Sequence, residues 1–289
     1  MEIIDLLTSP DAADMRHIVG IALVAGFSVV VMCGLLSPLV VVKRLGFVGQ
    51  GVSHSAFGGI GVAAVLGAAG LLVPGGLAEF AVIVAFCIAA ALGMAAVSDR
   101  RTTPVDTTIG MFLVGSMALG AVLVQVSGAQ SSWESILFGS IFVAGEQEAV
   151  AGWLLAFLIA AALWWWRRPL LFWTFDEESA AAFGVPAGRM KLMLMILLTL
   201  AVVTAMKLAG VILATALLVL PGAIALRLSD RLGPVVMLSV GAGILGLVGG
   251  FAASLEFNWQ AGPSMVLVLT LLFALAAAWS RFAPRRAAA

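Results

Sequence analysis

MKLMLMILLTLAVVTAMKLAGVILATALLVLPGAIAL (residues 190–226) decides the fold. It holds two apolar runs, about 190–206 and 209–226, separated only by a short break at Lys207. Each is close to the roughly 20 residues that carry a helix across a hydrocarbon core. The runs are continuously apolar instead of alternating, which argues against a transmembrane β-barrel. Further spans are expected at about 18–42, 46–73, 77–97, 108–126, 149–166, 233–254 and 263–280. The second of the nine is expected to begin anywhere between Gly46 and Ser55. The fold class is therefore all-α: one polytopic transmembrane bundle of eight or nine spans, with 1–289 as a single domain.

Composition agrees. The chain is 63% hydrophobic and 10% charged, against about 25% charged in soluble domains. Net charge is zero, so nothing points to nucleic acid. Residues 1–17 form an acidic lead-in without the basic start of a cleavable signal peptide. Segment 133–143 is too short to cross and reads as re-entrant or interfacial. Gly246 and Gly250 form a GxxxG pair suited to close helix packing.

Basic residues set the expected orientation. With the N-terminus outside, thirteen fall inside: Lys43, Arg44, Arg100, Arg101, Arg167, Arg168, Arg189, Lys191, Arg227, Arg231, Arg281, Arg285 and Arg286. Only Arg16 and Lys207 fall outside. This bias follows the positive-inside rule and favours an odd number of spans. Trp164, Trp165 and Trp166 sit where an inner aromatic belt is expected. Outer positions collect Glu2, Asp5, Asp11, Asp14, Glu79, Glu134, Glu146, Glu148 and Glu256. These are either an acidic mouth that concentrates cations or ordinary solvated loop charges.

The chain carries no engine of its own. A phosphate-binding loop needs G-x-x-x-x-G-K-[ST]; Lys43 precedes Arg, and Lys191 and Lys207 precede Leu. No Asp or Glu stands at the centre of a span to relay protons or sodium. Cys33 and Cys87 lie alone in apolar runs and read as packing residues. A transporter of this composition is driven by a separate ATPase or by an ion gradient.

Three features remain. The segment KRLGFVGQGVSHSAFGGIG (43–61) puts His54 in a glycine-rich span, with Gln50 one helical turn before it on the same face. An ionisable side chain there faces protein or a path, or is a hydrogen-bonded packing residue. The glycines permit either close packing or irregular backbone. His17, in the lead-in, reads as a surface residue. Residues 167–190 form the longest inner connection. Asp176, Glu177 and Glu178 fit the first turn of a short helix with Thr174 near its cap, ended by Gly184 and Pro186. That helix is either a docking surface or a connector. Pro221, inside an apolar run, either kinks its helix or ends it.

Three stretches resemble the permease subunits of bacterial ABC importers for zinc, manganese and iron. RLGFVGQGVSHSAFGGIG (44–61) is similar to the family's G-D-x-x-[SA]-H-A-x-x-x-G, FDEESAAAFG (175–184) to F-D-x-E-x-A-x-x-x-G, and GVILATALLVLPGAIA (210–225) to G-x-x-L-x-x-A-L-L-x-x-P-A-A-x-A. They stand in matching order, and the likeness runs over about 20–280. The resemblance implies a permease of the cobalamin-importer type, in the bacterial cytoplasmic membrane with the C-terminal tail (281–289) cytosolic. It implies a second permease copy, a cytosolic ATPase dimer and an extracytoplasmic metal-binding protein as partners. It gives Asp176, Glu177, Glu178, Ala180 and Gly184 to ATPase coupling, and His54 with Gln50 to metal contact on the path. Pro221 would shape the inner end of that path. No cofactor is held permanently; the metal is cargo. The sequence departs from the family at Gln50, where members carry an acid. An amide oxygen ligates hard cations without compensating their charge, which implies a weaker, more transient site, a different metal preference, or a position that is not a metal site. The rival functions are a gradient-driven carrier or channel for small cations and, last, a membrane scaffold or intramembrane enzyme.

Overall fold

The computed structural model describes residues 13–73, 76–98, 104–128 and 141–282. Among them there is no strand. Nine helices are long and apolar enough to cross a membrane. They are α1 (Ala13–Val42), α2 (Gly46–Ala68), α3 (Leu77–Val97), α4 (Val105–Ser127), α5 (Glu146–Trp165), α8 (Ala187–Ala209), α9 (Val211–Leu228), α10 (Leu232–Phe257) and α11 (Ala261–Phe282). Two short helices, α6 (Arg167–Phe175) and α7 (Glu177–Ala182), fill the connection between α5 and α8. The chain is a multi-pass, all-helical membrane protein, as its apolar runs predict.

Boundaries move where local backbone chemistry overrides hydropathy. The second span stops at Ala68 instead of 73. Gly70 takes a left-handed φ of 73°, and the Leu71 N–H turns back to Leu66 O at 2.9 Å, closing the helix in a glycine cap. At the other end α1 starts at Ala13, so His17 lies on a helix and not in a loose lead-in. Of the short segment 133–143, residues 133–140 lie outside the described residues, and Ile141–Val143 form one 3-10 turn.

The helices fall into two compact units. One takes 1–43, 135–164 and 205–289; the other takes 44–134 and 165–204. In the first, α10 is close-packed through its glycines. A Cβ on Gly246 would meet Leu269 Cδ2 at 2.5 Å, and one on Gly250 would run into Met265. The GxxxG pair thus seats α11 on α10. In the second, α2 is held the same way. A Cβ on Gly58 would meet Phe86 of α3 at 2.6 Å, and one on Gly61 would meet Gly120 Cα of α4 at 2.8 Å. The glycines serve close packing; α2 is unbroken helix, so irregular backbone is not their role there.

Candidate functional site

The site grows from what those glycines leave uncovered. On α2 the residues Val48, Gly49, Gly51, Val52, Ser53, Ser55, Ala56 and Phe57 are buried. Phe47 is 64% exposed, Gln50 is exposed and His54 is half-buried. Positions 47, 50 and 54 share one face of a helix. The stripe ends at Gly58, where Phe86 closes over the helix. This span also has the lowest mean hydropathy of the nine, 1.3 against 1.7 to 2.6 for the others. Its two serines are buried, while Gln50 and His54 lie on the face its own neighbours leave more open.

His54 ends this stripe with unused capacity. Its Nδ1 is buried and has no hydrogen-bond partner. A buried polar atom without a partner is costly in a protein interior and asks for a ligand or a function. The ring stacks on Phe57, centroids 6.0 Å apart and planes 15° apart, which fixes its orientation. Its serine neighbours do not compete for a ligand: Ser53 Oγ donates to Gln50 O at 2.9 Å, and Ser55 Oγ donates to Gly51 O at 2.8 Å. Both hydroxyls are spent on the backbone. Cys33 and Cys87 are free and buried, as packing residues should be. Among the described residues, no three His, Cys, Asp or Glu side chains converge on a metal-sized site. One chain therefore offers an imidazole and an amide oxygen, and no closed cage.

The connection between α5 and α8 is more built than the sequence suggests. Asp176, not Thr174, is the cap of α7. Its Oδ1 accepts from the Ser179 N–H at 2.9 Å, while Thr174 is buried inside α6 with its hydroxyl on Leu170 O at 2.7 Å. Thr174 lies near the cap, as expected, but α6 runs on to Phe175, so Asp176 takes the cap and not the first turn. Hydrogen bonds from Ser179, its side chain first and its backbone N–H second, hold the Asp176 carboxyl below the usual carboxylate range. Glu177 and Glu178 occupy the first turn, where the helix dipole favours acid. Gly184, at a φ of 81°, ends α7. The Val185 N–H reaches Ala180 O at 2.9 Å, and the Gly184 N–H reaches Ala181 O at 3.1 Å, the two bonds of a Schellman cap. Ala180 is fully buried. Outward the hairpin shows Phe172, Phe175 and Phe183 together with Asp176, Glu177 and Glu178. The Phe172 and Phe183 rings lie 5.8 Å apart.

Pro221 does not end its helix; α9 continues to Leu228. Sequence reading missed its counterpart. Pro38 is likewise interior to α1, and the two helices meet there. The Gly222 N–H donates to Ser37 Oγ at 2.8 Å, and that hydroxyl donates in turn to Val219 O at 3.3 Å. A Cβ on Gly222 would sit 2.5 Å from the Ser37 carbonyl carbon. A serine hydroxyl here serves backbone groups beside a proline that lacks its own N–H. The only signal in the sequence was a pair of prolines in apolar runs, one after Ser and one before Gly.

At the opposite ends of the spans, the acidic residues are partly spoken for. Lys207 Nζ lies 3.1 Å from Glu148 Oε1, and Glu148 Oε2 also accepts the Gly145 N–H at 3.0 Å. His17 Nε2 lies 3.5 Å from Glu146 Oε1, both well exposed. The lysine that breaks the positive-inside pattern is thus neutralised by a neighbour.

Comparison with known proteins agrees along nearly the whole chain. It is 28% identical over 265 residues to the manganese transport system membrane protein MntC of Listeria innocua, covering 92% of this chain and 90% of the relative. It is 30% identical over 256 residues to the protein of the same name from Halalkalibacterium halodurans, covering 88% and 85%. The solved structure of PsaBC from Streptococcus pneumoniae in complex with Fab superposes with a TM-score of 0.79 at 27% identity, over 95% of this chain and 93% of that one. The model of the ABC 3 transport family matches residues 15–280, and the chain belongs to that family.

Proposed function

We propose that this chain is the membrane-spanning subunit of an ATP-driven importer that carries a divalent transition metal ion into the cytoplasm. Manganese is the first candidate, with iron and zinc behind it. The names of the relatives support manganese; a hard amide oxygen suits it too, while the imidazole equally suits iron and zinc. The observation that carries the reading is the open stripe on α2, which ends in a His54 nitrogen with no partner.

The mechanism is alternating access without covalent chemistry, the whole chain acting as one transport domain. An extracytoplasmic metal-binding protein delivers the ion at the face holding the N-terminus. His54 and Gln50 meet it on the path. A second permease copy across a two-fold axis brings a second pair, so two imidazoles and two amides surround the ion. All four donors are neutral, so the ion is held weakly and released readily. Pro221 shapes the inner end of the path. A separate ATPase pair hydrolyses ATP and docks on the α6–α7 hairpin, where exposed phenylalanines and the acids Asp176, Glu177 and Glu178 form one surface. Ala180 and Gly184 fix the hairpin's shape beneath it.

The test is metal-resolved uptake by the reconstituted complex. His54→Ala is expected to lower manganese uptake at least tenfold, the lower end for disturbing a metal's surroundings, with ATPase assembly intact. Unchanged uptake would remove His54 from the path. Reversing charge at Glu177 and Glu178 together is expected to uncouple ATP hydrolysis from transport; normal coupling would make the hairpin a mere connector. Uptake driven by a proton or sodium gradient with no ATPase present would overturn the reading in favour of a secondary carrier.

A further inference from the structure

The first compact unit carries a groove that none of His54, Gln50 and Pro221 lines. It has a volume of about 900 Å³ and runs along α9, α10 and α11. Its floor is the buried trio Ile224, Ala242 and Ala276. Its walls are apolar and open: Leu245 is 61% exposed on one side, and Leu275 and Trp279 are 58% and 69% exposed on the other. An apolar trough of this size falls in the range of ligand sites. In a membrane-spanning chain, acyl chains are what such a trough meets.

One end of the groove is charged. Arg227 follows Ile224 by one turn of α9 and stands exposed beside Leu228, which lines the groove. Its guanidinium lies 5.3 Å from the centroid of the Phe273 ring. It donates to Ser280 Oγ at 3.4 Å, next in sequence to Trp279. These contacts hold the head at the groove mouth and use one of its five N–H donors. Arg231 is close by in sequence, Arg281 falls in the last turn of α11, and Arg285 and Arg286 come after it in sequence, against the single acid Asp230. Basic pockets at the ends of membrane helices select anionic lipid headgroups. Tryptophan belongs at the same interfacial depth.

We infer that the α10–α11 groove is a binding site for an anionic phospholipid, its acyl chain along Leu245 and Leu275 and its phosphate on Arg227. The site is independent of what the chain transports. A lipid seated there fills a trough that the protein's own side chains leave open, and it fixes the depth of the arginine end at the headgroups.

Trp279 reports on the site directly. The full chain is reconstituted in phosphatidylcholine vesicles in which a fixed minority of lipid is brominated phosphatidylglycerol or, in parallel, brominated phosphatidylcholine. The part of the fluorescence quenching that disappears in Trp279→Phe belongs to the groove. That part is expected to show about a fivefold preference for phosphatidylglycerol, the size one basic residue contributes at an anionic surface. Arg227→Gln is expected to abolish the preference while quenching by either lipid persists. A Cβ at Gly241, which lines the groove, would meet nothing within 4 Å, so Gly241→Leu enters the trough from an unobstructed Cβ and is expected to cut quenching by both lipids. Equal quenching by the two lipids in the unaltered chain would overturn the inference, since the groove would then see only bulk lipid. So would absence of Trp279 quenching by either, which would mean that a second copy of the chain covers the face.

Discussion

Two glycine-bearing spans, α2 and α10, solve the same packing problem and leave opposite remainders. On α2, Gly58 makes room for the Phe86 ring of α3 and Gly61 lets the backbone of α4 approach; on α10, Gly246 makes room for Leu269 and Gly250 lets the backbone of α11 approach. Each helix then has one uncovered face. On α10 that face is Met237, Leu245 and Val248, exposed at 78%, 61% and 48%. On α2 it is Phe47, Gln50 and His54. Exposure alone does not say what covers a face in a membrane. Polarity does, because lipid accepts leucine and valine at no cost and rejects an amide and an imidazole. The open face of α10 is suited to lipid, and that of α2 to a path or a protein partner.

The firmest way to break the comparison is to attack the shared packing. Gly61→Leu would drive a side chain into the backbone of Gly120, and Gly250→Leu into that of Met265. Backbone cannot yield as a flexible side chain does. Each is expected to cost about 3 kcal/mol or more, the top of the overpacking range, read as thermal unfolding of the purified protein in detergent. Gly110→Ala on α4, where a Cβ meets nothing within 4 Å, is the control, expected within about 0.5 kcal/mol of the unaltered chain. If all three behave alike, the glycines are not clamps.

A smaller effect separates the two open faces. Leu245 stands at the middle of α10, exposed. Leu245→Asp is expected to destabilise the membrane-inserted state by about 2.5 kcal/mol, the lower insertion cost for a charge at mid-span. His54→Leu makes the converse change and is expected to leave thermal stability unaltered while uptake falls. A stable Leu245→Asp variant would mean that water or protein covers α10, and the assignment of that face to lipid would fail.

The spans were legible because burial in lipid demands long apolar runs, and such runs show in any window of sequence. Leu77–Val97 matches the apolar run to the residue. What escaped depended on backbone geometry or on distant partners. The overrun of the second span past Ala68 ignored Gly70, whose left-handed φ matters more than the apolar residues after it. The sequence places Asp176 in the first turn of α7 with Thr174 near the cap; Asp176 is itself the cap, because α6 reaches to Phe175. The Ser37–Gly222 bond joins residues 185 apart, and no local pattern announces it. His54 was visible as an oddity. Its lack of a partner at Nδ1 was not, since that depends on every helix that could have supplied one.

The mildest substitution sharpens the comparison most. Gln50→Glu adds a carboxylate at the position where the resembled permeases carry an acid, on the one open face that is already polar. If α2 lines the metal path, a two-fold pair of carboxylates supplies hard oxygen and two negative charges to a site that had none. The ion is then held more tightly before it moves than while it moves. Binding of that kind lowers the apparent KM and does not speed the passage. A tenfold lower KM, equivalent to about 1.4 kcal/mol of added ground-state binding, is expected together with a slower maximal uptake. The split between the two is the informative reading. If α2 instead faces lipid, the new carboxylate has no cation to meet. It would then cost stability as Leu245→Asp does, and the KM for metal would stay where it was.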